Sequence, residues 1–168
     1  MQINEIVSDK NFYTFVECLR SWCNNTINDR KQKEDALLSF QQEAAKFKGS
    51  NATFYRGESL AEEQYKVLKE GGEIYINPRG KLMSLSRSKK GAMPFAEFSD
   101  TGMGVLFSVN DAKVFVDVVS VANQMKKVGI PLSLDGEDYS FSDAVREREV
   151  ICFSSPIAIG TKNIIRLF

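Results

Sequence analysis

The chain has 168 residues and no histidine. Without imidazole it cannot assemble a Ser-His-Asp or Cys-His catalytic set, a helical zinc-protease motif or any His-ligated metal centre. It also lacks an excess of either charge: 22 Lys plus Arg stand against 22 Asp plus Glu, a formal net charge of zero. A whole-surface electrostatic grip on nucleic acid is therefore not expected, although a local basic patch stays open. Cysteine is scarce: Cys18, Cys23 and Cys152 are odd in number and match neither a C-x-x-C pair nor a zinc ribbon. All three fall in apolar stretches and are expected to be small reduced core residues rather than nucleophiles. No metal site is expected. No window approaches the ~18 consecutive apolar residues that span a bilayer. The N-terminal MQINEIVSDK has no basic start followed by an apolar run, so a cytoplasmic protein that makes no use of a membrane is expected. Chemistry is left to carboxylates, hydroxyls, thiols, lysine, arginine and tyrosine.

What is present reads as one α+β domain over residues 1–168, with helices first and six or seven strands after, in one compact sheet or a pair. Residues 1–50 form the helical part. Phe12, Phe15, Val16, Leu19, Trp22 and Cys23 recur at three-four spacing and predict one amphipathic helix. Ala36, Leu37, Phe40, Ala44 and Phe47 predict a second over 28–47, with the charges of DRKQKED on its solvated face. Beyond Gly49, ATFYRG, EIYI, LMSLS, GVLFSV, KVFVDV, EVICF and NIIRLF read as strands. SLAEEQYKVLKEGG reads as a helix with Ser59 and Glu62 in capping-box spacing. A short helix is expected over 92–98, made irregular or confined to a first turn by Pro94. Over 120–127 a helix is favoured against a longer strand. Residues 129–146 are polar and turn-rich and read as a loop.

Three segments carry candidate chemistry. Arg56 ends an apolar strand and is followed by Gly57; a guanidinium fork suits phosphate, and a strand-end salt bridge would explain it as well. Ser84 and Ser86 alternate onto one face of LMSLS, either as buried hydroxyls that need partners or as polar residues on an open edge. Glu147 and Glu149 are spaced by two at the start of a strand and should face the same way. Paired carboxylates can stabilise a cation developing at a sugar carbon, while a solvated Arg-Glu-Arg-Glu end is the competing explanation.

In this order, Tyr55-Arg56-Gly57, Ser84-Leu85-Ser86 running on through Ala92 and Phe95-Ala96, and Glu147-Arg148-Glu149 resemble the motifs of the mono-ADP-ribosyltransferases of the arginine-serine-glutamate class, found among bacterial toxins and bacteriophage enzymes. The match spans residues 53–168. The missing histidine agrees, because the other large branch of that superfamily carries a histidine on its first strand. Pro94 departs from the pattern in the helix after the serines.

The resemblance implies a core of two packed β-sheets with the first fifty residues as a helical preface. It implies NAD as substrate and transfer of ADP-ribose to an arginine of a target protein, in the cytoplasm of a bacterial or phage-infected cell. By it, Arg56 would hold the NAD phosphates and the Gly57 backbone would pair with the nicotinamide carboxamide. Ser84 would fix Glu149, with Ser86 beside it. Glu149 would bind the ribose and stabilise the oxocarbenium ion, and Glu147 would deprotonate the acceptor. Phe95 would line the nicotinamide pocket, although a core role is favoured for it. Residues 97–104 would loop over the ligand, and 135–146 would touch the target. Two other outcomes stay open. The same chemistry could act on RNA, gripped by Arg79, Lys81, Arg87, Lys89 and Lys90, or the fold could be a catalytically dead interaction module. An antitoxin or inhibitor is a possible further partner.

Overall fold

The computed structural model describes residues 3–24, 29–50, 52–136 and 141–168. Three helices come first: α1 (Ile3–Cys23), α2 (Arg30–Leu38) and α3 (Gln41–Ala45). They are followed by β1 (Phe54–Ser59), α4 (Glu62–Lys69), β2 (Ile74–Ile76), β3 (Leu82–Ser86) and α5 (Lys89–Glu97). The rest comprises β4 (Gly104–Val109), β5 (Val114–Asp117), α6 (Val118–Lys127), α7 (Phe141–Arg146), β6 (Glu149–Phe153), β7 (Ile157–Ile159) and β8 (Ile164–Leu167). Among the described residues no helix is long and apolar enough to cross a membrane.

Several expectations are corrected. The single helix over 28–47 is two, because the Ser39 hydroxyl donates to the Ala36 carbonyl at 2.6 Å and competes with the backbone ladder. The chain turns at Phe40, whose ring lies 6.1 Å from that of Phe15, and restarts as α3. Helix α4 is not capped by Ser59, which stays in β1 opposite Gly104; instead the Gln64 side chain accepts from the Ala61 N–H at 3.0 Å. Helix α5 runs straight through Pro94, since Lys90, whose carbonyl loses its helical donor there, is exposed to solvent. The loop expected over 129–146 holds α7, and SPIAIG holds β7; both are too short to show a period. Helix α6, favoured over a strand, is present, with Val118, Val121, Ala122 and Met125 buried at helical spacing.

Among the described residues eight strands form two sheets. The larger has the order β5-β6-β3-β1-β4-β8, and β2 pairs with β7 in the smaller; every pairing is antiparallel. Strand alternation divides the core. Met83, Leu85, Val150 and Cys152 point towards the small sheet and α4, packing with Ile74, Ile157, Ile159 and Leu68. Leu82, Ile151 and Phe115 point the other way, into a cluster built with Phe15, Leu19, Leu37, Val121 and Phe141 of the helices. The first fifty residues thus share a core with the strands.

The three cysteines are free thiols, with Cys23 and Cys152 buried and Cys18 half-buried. Burial pushes the Cys152 thiol up to about 12, only partly opposed by Arg87. Burial, helped by Glu17, also raises Cys18.

The large sheet has a seam. All residues of β1, from Phe54 to Ser59, are in register with β4, and all of β3, from Leu82 to Ser86, with β6. Strands β1 and β3, however, pair only at Tyr55 and Ser86. From that pair they part, and a cleft opens between them.

Candidate active site

The cleft encloses about 360 Å³ and is lined by residues from all three candidate segments: Arg56 and Gly57, Ser84 and Ser86, Glu147 and Glu149, with Phe95 on the α5 side. Glu149 opens β6 opposite Ser86 and is buried. Its Oε1 accepts the Ser84 hydroxyl, and its Oε2 lies 3.7 Å from the Cys23 sulfur. Burial raises its pKa above the ordinary carboxylate value; the Ser84 hydrogen bond pulls it down, the charge of Glu147 adds to the rise, and the Cys23 thiol and the nearby indole N–H of Trp22, which donates to Ser84 Oγ, oppose it. Ser84 is half-buried with its hydroxyl partnered, on a strand interior to the sheet, so the open-edge reading does not hold.

Ser86 reaches the cleft wall, but its hydroxyl is engaged with backbone. Its Oγ lies 2.5 Å from the Glu147 carbonyl oxygen and 2.9 Å from that of Ser88, and it accepts the Ser88 N–H at 3.0 Å. It ties the N-terminus of α5 to the turn before β6. In that turn Arg148 takes φ +52°, the left-handed region uncommon for a residue other than glycine. Both glutamates reach the same cleft, but not by the strand alternation expected of them, because Glu147 precedes β6 and the left-handed Arg148 turns the chain between them.

Arg56 lies inside β1 rather than at its end, and it makes the salt bridge of the competing reading while lining the cleft. Its Nε pairs with Glu58 Oε1 at 2.5 Å, and one terminal nitrogen donates to the Ser84 carbonyl at 2.7 Å across the parted strands. Gly57 has a reason to be glycine that sequence did not supply. A Cβ there would drive into the Ala92 carbonyl oxygen and stand 2.7 Å from the Ala96 nitrogen, so the close approach of α5 requires its absence. Phe95 is 54% exposed and is not a core residue; α5 turns it outward, to the cleft rim.

Other expected parts lie elsewhere. None of residues 97–104 lines the cleft. The basic group does not act as one patch: Arg87 donates to the Ser50 carbonyl and faces Asp117 at 3.7 Å, Lys89 stands over the Tyr55 ring, and Lys81 borders a separate groove beside α2. Of the 135–146 loop, residues 137–140 lie outside the described residues.

Sequence reasoning missed the contribution of the N-terminal helices, which bring Trp22, Cys23, Arg30 and Lys33 to the cleft. Arg30, expected on a solvated face, is exposed and also donates to the Leu82 carbonyl at 3.0 Å; Lys33 is half-buried and donates to that of Asn24 at 2.7 Å, and Glu34 departs from the expectation, buried and accepting the Leu82 N–H at 2.6 Å. One signal was available for Trp22, the chain's only tryptophan: an indole placed in an apolar stripe still needs an acceptor for its N–H. Among the described residues no group of His, Cys, Asp or Glu is placed to hold a metal ion.

In comparisons with known proteins, no family model, curated sequence or solved structure matches the chain.

Proposed function

We propose that this chain is an NAD-dependent mono-ADP-ribosyltransferase of the arginine-serine-glutamate class, transferring ADP-ribose to an arginine of a target protein. One observation carries the proposal. Arg56 of β1, Ser84 of β3 and the Glu147–Glu149 pair, drawn from three separated segments, surround one cleft with the Ser84 hydroxyl on Glu149. The seam between β1 and β3, along which the cleft opens, supports a ligand site there. At about 360 Å³ the cleft is near the small end of ligand sites, so a dinucleotide would seat its nicotinamide-ribose end there and run outward past Arg56.

In this reading Arg56 holds the phosphates, Gly57 offers backbone to the carboxamide, and Phe95 covers the nicotinamide from the rim. The bond between ribose C1′ and the nicotinamide nitrogen breaks, and nicotinamide leaves neutral with the bonding pair. Glu149, fixed by Ser84 and partly desolvated, stabilises the cation left on the sugar. A guanidine nitrogen of the acceptor then forms the new bond to C1′, and its proton passes to Glu147. The arrangement needs neither imidazole nor metal in the bond-making steps. A cytoplasmic setting in a bacterial or infected cell, and restraint by an antitoxin, belong to the same proposal and rest on the resemblance alone. The dispersed basic residues give RNA no comparable support as acceptor.

The test is transfer of radiolabel from NAD to protein in a cell lysate. Glu149→Gln should lower labelling by about a hundredfold to a thousandfold, the scale of one preorganised electrostatic contact. Labelling that survives unchanged in that variant overturns the proposal, and label removed by ribonuclease but not by protease reassigns the acceptor to RNA.

A further inference from the structure

We infer that the last turn of α1 orients the carboxylate at the cleft floor: Trp22 fixes the Ser84 hydroxyl as a donor to Glu149, and Cys23 caps the second carboxylate oxygen. Both are positioning residues from outside the three matched segments. The balance of donors and acceptors sets the direction of each bond. An indole N–H can only donate, and a serine hydroxyl has one proton and two lone pairs. Trp22 Nε1 lies 3.1 Å from Ser84 Oγ, so that oxygen accepts from the indole. Its single proton is left for Glu149 Oε1, where the hydroxyl points. A hydroxyl held as a donor bonds the charged carboxylate more strongly than the neutral acid. The indole therefore sets a polarity that favours the carboxylate over the acid. The Cys23 thiol, 3.7 Å from Oε2 and itself only 4% exposed, adds a weak donor to the other oxygen.

The turn that carries these two residues is held on several sides. Arg20 donates to the carbonyls of Pro131 at 2.8 Å and Leu132 at 3.0 Å. The Asn24 N–H continues the helix onto the Arg20 carbonyl at 2.9 Å. The Arg30 guanidinium stacks 5.3 Å from the Trp22 ring centre. An indole clamped in this way can hold a hydrogen-bond direction that a mobile side chain could not.

Other charged and titratable groups surround the same carboxylate. Glu147 faces it across the turn into β6; Arg56 and Tyr55 from β1, and Arg30 and Lys33 from α2, line the same cleft. On the far flank β5 brings Asp117, which faces Arg87 and accepts from Ser120. Arg30 is the one of these that stacks on the Trp22 ring, and Trp22→Phe keeps an aromatic face beneath its guanidinium while removing the N–H.

The catalytic half of this inference rests on the transferase reading; the ionisation half does not. The experiment compares Trp22→Phe, Cys23→Ala and Cys23→Ser with the full-length chain by two readouts. The first is the pH dependence of kcat and KM for NAD hydrolysis. Trp22→Phe and Cys23→Ala should move the acid limb of kcat upward by about half a unit to one unit, a loss of about three- to tenfold on that limb. Activity should recover at higher pH with KM unchanged, and Cys23→Ser, which keeps a donor, should restore the wild-type limb. The second is the pH dependence of unfolding against Glu149→Gln, which reads the ionisation of Glu149 without any turnover. It should show the same upward displacement in Trp22→Phe. An unmoved limb in both variants, or a loss equal at every pH, overturns the inference. Absence of NAD turnover in the wild type defeats the transferase reading only, and the unfolding curves then decide this one.

Discussion

Burial of Glu149 removes hydration that the Ser84 hydroxyl and the Cys23 thiol restore only in part, so its carboxyl holds a proton more tightly in the folded chain than in the unfolded one. Between the ordinary carboxylate value and that raised value, the folded state binds more protons, and stability falls as pH rises through the window. The stabilisation by the protonated form is complete only below the ordinary value. Glu149→Gln, which carries no charge at any pH, should therefore melt at a higher temperature than wild type at neutral pH, with the difference shrinking towards zero as the pH is lowered past the ordinary carboxylate range. Thermal melts at several pH values check this, and a variant that melts lower at neutral pH contradicts the assignment of burial as the dominant cause. At this scale the sequence was readable where polar side chains interrupt or bound an apolar strand: Ser84 within one, Arg56 before a glycine at the expected end of another, and Glu149 paired with Glu147 at the start of a third. Trp22 was hidden because the apolar stripe already accounted for it. The left-handed Arg148 has no signature, since arginine gives no local reason for a positive φ.

Helix α5 approaches the sheet more closely than side chains with a Cβ allow. Gly57 of β1 and Gly104 of β4 lie under its Ala92 and Ala96 backbone, and its own Gly91 lies against the Glu147 carbonyl. Gly57→Ala should destabilise the fold by about 1–3 kcal/mol through overpacking and, under the proposed function, should also weaken NAD turnover, because α5 carries Phe95 to the rim. Denaturant titration together with steady-state kinetics tests both effects; a variant of unchanged stability would mean that α5 can shift freely. Element by element, strands with five or six alternating or wholly apolar residues were recoverable from sequence, as was the long stripe of α1. The break between α2 and α3 was not, because it depends on a rotamer of Ser39 that helical periodicity does not encode. Strand β7 and helix α7 were lost for a simpler reason: each buries only two side chains, Ile157 and Ile159 in one and Phe141 and Ala144 in the other.

Over the whole molecule, the division into a helical preface and a strand-built part follows the order of the sequence more closely than the packing. Phe15, Leu19 and Leu37 are fully buried against Leu82, Phe115 and Ile151 of the sheet, and the cleft takes Trp22 and Cys23 from α1. A chain cut to residues 53–168 should therefore lose cooperative unfolding as well as activity, which circular dichroism melts would show; a truncated form that melts sharply would make the first fifty residues a true appendage. Sequence could not reveal this dependence, because an amphipathic helix announces that it has an apolar face and not what that face covers. The single Tyr55–Ser86 pair has a consequence of another kind. The sheet is two well-knit panels, β5-β6-β3 and β1-β4-β8, joined at one stitch, and Arg56 belongs to one panel while Ser84 and Glu149 belong to the other. A molecule lying between them and bonded to both would act as the missing rungs of the ladder, so occupancy of the cleft and continuity of the sheet become the same event.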